Sequence, residues 1–333
     1  MPDILLVIGD PLMSGAQLAE HARILLGTRF EVRVLDWELP LEGIIAANLA
    51  IEKGGADAVP ATVATDPETN ERVVAVLTQF FPLSRATLAQ WPRLRAVATL
   101  RAGTENVDVD ELRRRHIPFT ANAGRNANAV AELGVALILG VLRNVGENHH
   151  AVRAGGWRPA RPVLGHRELS GRTVGIVGFG AVGRLVARRL SGFDVNIAYY
   201  DPYAESGDNS VMGLSLDALL KQSDVITLHA RALPDNRAMI GVRELDLMRP
   251  GAVLVNTARA ELVDEGALIE CLADGRLSAA ALDVFSVEPL PADHPLRTMP
   301  NVMLSPHLAG STVEARSRAP RLIAEKLSAL LGD

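Results

Sequence analysis

Short apolar runs alternate with amphipathic stretches along most of the chain. The run from Ile4 to Ile8 predicts a buried strand, the spacing from Ala16 to Leu26 predicts an amphipathic helix, and Val32 to Leu35 predicts a second strand. Further strands are predicted at 73–77, 94–99, 117–120, 174–177, 195–200, 225–228, 252–256, 279–283 and 302–304. Strands that alternate with helices in this way form parallel sheets, so the pattern predicts an α/β protein.

Two helical patterns and two irregular segments stand out against this rhythm. The stretch from Asn128 to Asn144 is apolar on nearly every face, which predicts a helix buried against another domain or subunit. The stretch from Thr312 to Leu331 predicts a C-terminal helix, with an interruption at Pro320 because proline lacks a backbone N–H. Residues 54–69 and 155–171 are rich in turn-forming residues and are predicted to be loops.

A glycine-rich turn follows the strand predicted at 174–177. Gly178, Gly180 and Gly183 have the spacing Gly-x-Gly-x-x-Gly, and a helix is predicted from Arg184 to Leu190. In a dinucleotide-binding turn such glycines allow a tight turn, a close approach of the backbone to the pyrophosphate, and close packing of helix on strand. The free N–H groups and the dipole at the helix N-terminus favour the negative charge of the pyrophosphate.

An acidic residue stands where a dinucleotide-binding fold needs one. The strand predicted at 195–200 is followed by Asp201, at the distance of about 20 residues from the turn where a carboxylate holds the ribose hydroxyls. This context distinguishes the motif from an ordinary strand-to-helix turn, so the sequence predicts a Rossmann site for NAD. The same carboxylate would repel a 2′-phosphate, which favours NAD(H) over NADP(H).

Composition and charge narrow the class of protein. With 333 residues, of which 48% are hydrophobic and 22% charged, the chain is long enough for two globular domains. The net charge of −5 argues against a general binder of nucleic acid or of anionic membranes. The single cysteine, Cys271, excludes internal disulfides and a cysteine-rich metal site, and no metal is predicted. The N-terminus lacks the basic and long apolar regions of a signal peptide, so a cytoplasmic location is predicted.

Polar side chains follow the predicted strands, at the edge where doubly wound sheets bind their ligands. They are Asp201, His229, Arg259, Asp283, Glu288 and His307. The Arg259 guanidinium could grip a carboxylate, His307 could exchange a proton near neutral pH, and Glu288 could hold the imidazole and favour its charged form. Each of these residues alone could be structural or solvated, and it is their joint position that favours a catalytic set.

These motifs resemble the D-isomer-specific 2-hydroxyacid dehydrogenase family, over about two-thirds of the chain at 94–312. The blocks that carry the resemblance are Arg101-Ala102-Gly103-Thr104-Glu105-Asn106-Val107-Asp108, Gly124-Arg125-Asn126-Ala127-Asn128-Ala129-Val130-Ala131-Glu132, the glycine turn, Asn256-Thr257-Ala258-Arg259, Asp283-Val284-Phe285 with Glu288-Pro289, and Ser305-Pro306-His307. The resemblance implies two doubly wound parallel-sheet domains: a flavodoxin-like substrate domain at 1–121 and 308–333, and a Rossmann cofactor domain at 122–307.

The resemblance also implies a role for each candidate site residue. Arg259 would bind the substrate carboxylate, and His307, paired with Glu288, would act as acid and base while hydride passes between NAD(H) and a D-2-hydroxyacid/2-ketoacid pair. The residues that would bind the substrate through their backbone region are Arg101, Ala102 and Gly103. The residues that would line the cofactor are Thr104, Gly178, Gly180, Ala181, Val182, Gly183, Asp201, Ala230, Thr257, Ala258, Asp283 and Gly310.

Three departures from the family pattern bear on the substrate. Ala260 follows the arginine where the family usually has glycine. The phosphoglycerate enzymes of the family have a basic residue near the end of the third strand, whereas this chain reads Thr78-Gln79-Phe80-Phe81, which weakens the case for a phosphorylated substrate. The segment from Leu41 to Thr69 is longer than usual and would cover either the site or an interface.

A second class of function stays open at this point. The same fold serves transcriptional corepressors that resemble the C-terminal binding protein and use the dinucleotide as a ligand, and fold alone does not separate them from enzymes. The set of Arg259, Glu288 and His307 favours an enzyme acting on a small-molecule 2-hydroxyacid or 2-ketoacid. The apolar helix at 128–144 and the resemblance together predict a homodimer, without nucleic-acid or membrane partners.

Overall fold

The chain divides into two compact units. The computed structural model describes residues 1–157, 165–204 and 211–332. One unit contains residues 1–125 and 313–333, and the other contains residues 126–312, so each boundary lies a few residues beyond the predicted one. Of the loop predicted at 155–171, residues 158–164 lie outside the described residues.

The first unit is built on a five-stranded parallel sheet. Its strands are β1 (Ile4–Gly9), β2 (Glu31–Asp36), β3 (Val73–Thr78), β4 (Ala96–Thr99) and β5 (Phe119–Ala121). The helices between them are α1 (Gly15–Leu26), α2 (Leu41–Gly54), α3 (Pro67–Arg72), α4 (Arg85–Ala89) and α5 (Val109–Arg114). The strand order is β2-β1-β3-β4-β5, and β1, β3 and β4 are buried along their whole length, as expected of strands covered on both faces.

The second unit is built on a seven-stranded parallel sheet. Its strands are β6 (Thr173–Val177), β7 (Asn196–Tyr200), β8 (Met212–Gly213), β9 (Val225–Leu228), β10 (Val253–Asn256), β11 (Ala279–Leu282) and β12 (Val302–Leu304). Its helices are α6 (Ala127–Leu142), α7 (Val145–Arg153), α8 (Ala181–Leu190), α9 (Leu216–Gln222), α10 (Val242–Leu247) and α11 (Glu265–Ala273). The order β12-β11-β10-β9-β6-β7-β8 reverses its direction at β6 and β9, whose carboxyl ends form the ligand crevice of such sheets. The predicted class, α/β with two doubly wound parallel sheets, is confirmed.

The apolar helix predicted at 128–144 is α6. It packs within its own unit, against α8 and the strands β10 and β11. Glu132, the charge in its first turns, is exposed and lies 3.1 Å from Arg189 on α8. Within the described residues, no single helix is long and apolar enough to cross a membrane; α6 and α7 reach that threshold only as a pair, which is bent by 67°.

The predicted interruption of the C-terminal helix is wrong. This helix, α12 (Val313–Leu331), belongs to the first unit and continues through Pro320. Proline removes one hydrogen bond and costs about 3 kcal/mol inside a helix. Several side chains on the same face, including Ile323 and Leu327, are fully buried, and each contributes about 1.5–3 kcal/mol. Packing of this face therefore outweighs the loss at Pro320.

The loop predicted at 54–69 is only partly a loop. A 3-10 turn covers Ala56–Ala58, and α3 begins at Pro67. Asp66 caps α3, because its side chain accepts a hydrogen bond from the Thr69 N–H at 2.8 Å. Asp66 followed by Pro67 is a typical start of a helix, and the prediction of a loop did not take this signal into account.

Candidate active site

The glycine-rich turn connects β6 to α8, and two of its three glycines are required by the protein itself. Gly178 has a φ of +90°, and a Cβ there would lie 2.4 Å from the Ala230 backbone nitrogen. A Cβ at Gly183 would lie 2.2 Å from the Gly178 carbonyl oxygen. Gly180 differs, because no described atom lies within 4 Å of the position its Cβ would take. The space in front of the α8 N-terminus is therefore open.

Asp201 follows β7 and stabilises the glycine-rich turn through hydrogen bonds. Its Oδ2 accepts a hydrogen bond from the Phe179 N–H at 2.8 Å, and its Oδ1 accepts one from the Tyr203 N–H at 2.9 Å. A carboxylate offers about four acceptor positions in all. Asp201 therefore keeps acceptor positions that ribose hydroxyls could use.

Two buried polar atoms beside the turn have no hydrogen-bond partner within the described part of the chain. They are Thr257 Oγ1, after β10, and His229 Nδ1, after β9. Burial lowers the pKa of His229 to about 4, so the ring is neutral at pH 7, and its Nε2 lies 3.0 Å from Thr227 Oγ1. Buried polar groups rarely stay unpaired, and a polar ligand would supply the partner. With the open space at Gly180, these atoms fit a dinucleotide.

The other predicted cofactor residues of the second unit lie on adjoining turns. Ala181 and Val182 form the first turn of α8, and Ala230 lies against Gly178. The Ala258 N–H donates to Asn256 Oδ1 at 3.0 Å, which fixes the turn after β10. Gly310 packs on Asn126, because a Cβ at Gly310 would lie 2.1 Å from the Asn126 amide nitrogen. Thr104 belongs to the first unit.

His307 and Glu288 lie together, as the strand-end positions predicted. His307 Nδ1 is 2.7 Å from Glu288 Oε2, and Glu288 Oε1 accepts a hydrogen bond from the Phe285 N–H at 2.9 Å. The hydrogen bond to Glu288 raises the pKa of His307, although burial and the positive charge of Arg259 oppose it. Burial would raise the pKa of Glu288, but the hydrogen bonds from His307 and Phe285 lower it overall. The pair therefore consists of an ionised carboxylate and an imidazole that holds its proton to a higher pH.

The backbone at His307 is held in an uncommon conformation. Its φ is +51°, in the left-handed region that non-glycine residues rarely adopt. Asp283, which is fully buried, accepts hydrogen bonds from the N–H groups of Leu308 at 3.0 Å and Ala309 at 2.9 Å, and from the Ser305 hydroxyl. These hydrogen bonds fix residues before and after His307 and so hold the backbone in the conformation in which the His307 ring contacts Glu288. The hydrogen bond from Ser305 to Asp283 was not predicted. In the sequence Ser305 stood out only as part of the motif Ser305-Pro306-His307.

Arg259 lies after β10 with its guanidinium exposed. Its carbonyl accepts a hydrogen bond from Asn256 Nδ2 at 2.9 Å, and its Nη1 donates to the Ala258 carbonyl at 2.8 Å. Within the described residues no carboxylate forms a salt bridge with it. Its charge nevertheless acts on the pKa values of both His307 and Glu288, so the three side chains share one region of the second unit.

The predicted substrate loop of the first unit follows β4. Arg101 is buried, Ala102 is exposed and Gly103 is half-buried. Asn106, fully buried, donates from Nδ2 to the carbonyls of Gln79 at 3.1 Å and Phe81 at 3.3 Å. This amide ties the loop after β4 to the loop after β3. Its role was not predicted, since a buried asparagine leaves no periodic signal.

Comparisons with known sequences agree with this geometry. The sequence profile described as D-isomer specific 2-hydroxyacid dehydrogenase, NAD binding domain, matches residues 135–309. A glyoxylate reductase of Thermofilum pendens is 40% identical over 246 residues, which cover 72% of this chain and 73% of that protein. A D-3-phosphoglycerate dehydrogenase of Methanocaldococcus jannaschii is 35% identical over 279 residues, which cover 81% of this chain but only 53% of that protein.

Solved structures show the same similarity over nearly the whole chain. A glyoxylate reductase from Paecilomyes thermophila superposes with a TM-score of 0.78 at 28% identity, covering 99% of this chain and 96% of that one. An NADPH-dependent glyoxylate/hydroxypyruvate reductase from Sinorhizobium meliloti, in complex with citrate, superposes with a TM-score of 0.75 at 28% identity, covering 100% of this chain and 95% of that one.

The contrast between Gly178 and Gly180 gives a matched pair of variants. We expect Gly178→Ala to lower the free energy of unfolding of the second unit by about 2–6 kcal/mol, because it adds both a positive-φ strain and a backbone clash. We expect Gly180→Ala to leave unfolding within about 0.5 kcal/mol of wild type but to weaken NADH binding roughly tenfold or more, since its methyl would fill the open space. Thermal unfolding and fluorescence titration with NADH measure the two effects. Undiminished NADH affinity in Gly180→Ala would refute the placement of the dinucleotide.

Proposed function

Because the chain belongs to the D-isomer specific 2-hydroxyacid dehydrogenase family, whose members are NAD(P)-dependent oxidoreductases acting on CH–OH groups, we propose that it interconverts small 2-ketoacids and D-2-hydroxyacids with NAD(H). The family predicted from the motifs is confirmed by the matches. The observation that carries the proposal is the 2.7 Å contact of His307 with Glu288, in the same region as Arg259, with which no carboxylate of the described residues forms a salt bridge.

Each of the three residues has one task in the proposed reaction. Arg259 binds the substrate carboxylate through its guanidinium, which suits planar carboxylates. His307 protonates the carbonyl oxygen during reduction and removes the hydroxyl proton during oxidation; its Nδ1 faces Glu288, so Nε2 is the nitrogen that exchanges the proton. Glu288 orients the ring and stabilises its charged form. NAD(H), held by the glycine turn and Asp201, would supply the hydride chemistry: it would give hydride to the carbonyl carbon in reduction and take it from the hydroxyl-bearing carbon in oxidation.

The substrate that we propose is a small 2-ketoacid of the glyoxylate type. Relatives named glyoxylate reductase match over about three-quarters of their length, whereas the chain spans about half of the phosphoglycerate dehydrogenase. The third strand ends without a basic residue, at Thr78-Gln79-Phe80-Phe81. The matched proteins are named as reductases and dehydrogenases, so the corepressor alternative is not favoured. A homodimer and a cytoplasmic location stay predictions from the sequence.

A panel of 2-ketoacids, assayed by the loss of NADH absorbance, tests the function. We expect wild type to reduce glyoxylate or hydroxypyruvate, and His307→Ala to lose at least roughly a hundredfold in kcat, as removal of a general acid typically does. NADH affinity should be unchanged in the variant, because His307 is assigned to proton transfer and not to cofactor binding. No turnover of any 2-ketoacid by wild type, or undiminished turnover by His307→Ala, would contradict the proposal.

The His307–Glu288 pair predicts a pH dependence with a definite sign. Reduction needs the protonated imidazole, so kcat/KM for the 2-ketoacid should be high below the raised pKa of His307 and fall as the pH rises through it. Glu288→Gln removes the main cause of the raised pKa, so the fall should begin at a lower pH. Glu270→Gln, an exposed change on α11, is the control and should keep the wild-type profile. An unmoved alkaline limb in Glu288→Gln would exclude Glu288 as the partner that sets this pKa.

Asp201 should set the preference for NAD(H). Asp201→Asn removes the negative charge but keeps an oxygen for the Phe179 N–H, so the turn should stay intact. We expect the ratio of kcat/KM for NADPH to that for NADH to rise roughly tenfold, because the repulsion of the 2′-phosphate is gone. Asp217→Asn, which removes a surface charge paired with Arg243, should leave the ratio unchanged. An unaltered ratio in Asp201→Asn would count against this role.

A further inference from the structure

The buried arginine of the predicted substrate loop is already engaged by two carboxylates. Arg101 is 7% exposed, and its Nη2 lies 2.8 Å from Glu52 Oε1 and 3.6 Å from Glu105 Oε2. The guanidinium also stacks over the Phe80 ring, with its carbon 5.0 Å from the ring centroid. All of these residues belong to the first unit: Phe80 follows β3, Arg101 and Glu105 follow β4, and Glu52 lies on α2.

Glu52 reaches this position from the segment at 41–69, for which the sequence left two roles open. It lies in the last turn of α2, and the end of that helix approaches the loop after β4, because a Cβ at Gly55 would lie 4.0 Å from the Glu105 carbonyl oxygen. Of the two roles left open for residues 41–69, the contact of Glu52 with Arg101 favours covering the predicted substrate loop of the same unit. The segment at 41–69 therefore places the negative charge of Glu52 beside the predicted substrate loop.

Glu105 lies directly over the same loop. A Cβ at Gly103 would be 2.2 Å from Glu105 Oε2, so this carboxylate occupies the space above the Gly103 backbone. Two further arginines act near Arg101: burial lowers the pKa of Arg125, and the charges of Arg101 and Arg316 lower it further. Glu52 and Glu105 place two negative charges beside Arg101 in these surroundings.

We propose that Glu52 and Glu105 are specificity-determining residues that neutralise Arg101 and exclude 2-ketoacids carrying a second anionic group. The inference rests on the proposed function and on the family resemblance, which implies that residues 101–103 bind the substrate. A 2-ketoacid with a terminal carboxylate or phosphate would need Arg101 as its partner, but that guanidinium is engaged and the space over Gly103 holds a like charge. A 2-ketoacid with a small uncharged side chain does not need Arg101 as a partner and is not repelled by Glu105. The two glutamates thus select substrates of the glyoxylate type.

A pair of substrates matched in length tests this selection. 2-Oxoglutarate and 2-oxopentanoate have the same number of carbon atoms and differ in a terminal carboxylate against a methyl group. We expect the ratio of kcat/KM for 2-oxoglutarate to that for 2-oxopentanoate to rise roughly tenfold in Glu52→Gln, as loss of one charge near the site would give. The change should lie mainly in KM, since the second anion is bound equally before and during reaction. Glu105→Gln should shift the ratio in the same direction.

Glu42→Gln is the matched control, because it removes an exposed carboxylate from the other end of the same helix and should keep the wild-type ratio. Wild-type ratios in both Glu52→Gln and Glu105→Gln, with 2-oxopentanoate still reduced, would overturn the inference and leave the proposed function standing. Failure of wild type and all variants to reduce any 2-ketoacid would instead overturn the proposed function, and this inference with it.

Discussion

The buried carboxylate of Asp283 is the group on which the geometry of the His307–Glu288 pair depends. A fully buried charge is tolerated only when its oxygens are hydrogen-bonded, and here the partners are the two N–H groups and the hydroxyl that flank His307. The carboxylate follows β11 and its partners follow β12, so adjacent strand ends are tied together. The left-handed backbone at His307 costs about 1–3 kcal/mol, which this network can supply. The ring of His307 is thereby presented to Glu288 before any substrate arrives.

The parallel arrangement of the sheets explains why the candidate site residues of each unit gather at one edge of its sheet. All strands of a parallel sheet point their carboxyl ends to one edge, so residues far apart in the sequence become neighbours there. In the second unit this edge holds Gly178, Asp201, Arg259 and the loop of His307. In the first unit it holds the loop of Arg101. The backbones of Gly178 and Ala230 approach closely and keep this edge compact, whereas no described atom lies within 4 Å of the position that a Cβ at Gly180 would take.

The sequence predicted what depends on local chemistry and missed what depends on tertiary contacts. The long buried strands and the glycine turn were placed correctly, because periodicity and backbone conformation are encoded by neighbouring residues. The helix α7 was not predicted, and none of its residues is buried, so no buried apolar face marked it in the sequence. Pro320 was misread because the local cost of proline was weighed without the buried face of α12. Among candidate site residues, positions at strand ends were predictable, but the distance that joins His307 to Glu288 and the contact of Glu52 with Arg101 were not.

The ion pairs of Arg101 with Glu52 and Glu105 link the stability of the first unit to the proposed substrate selectivity. A guanidinium that is almost fully buried needs charged partners, because an unpaired buried charge costs several kcal/mol in an interior of low polarity. Glu52 and Glu105 meet that need within the protein. In the proposed selection they also cancel the attraction that Arg101 would exert on an anionic side chain of a substrate. Removing the arginine would achieve the same selectivity only by losing its stacking on Phe80. Retaining it and supplying the counter-charge from α2 keeps the loop packed and, in the proposed selection, limits what the loop can bind.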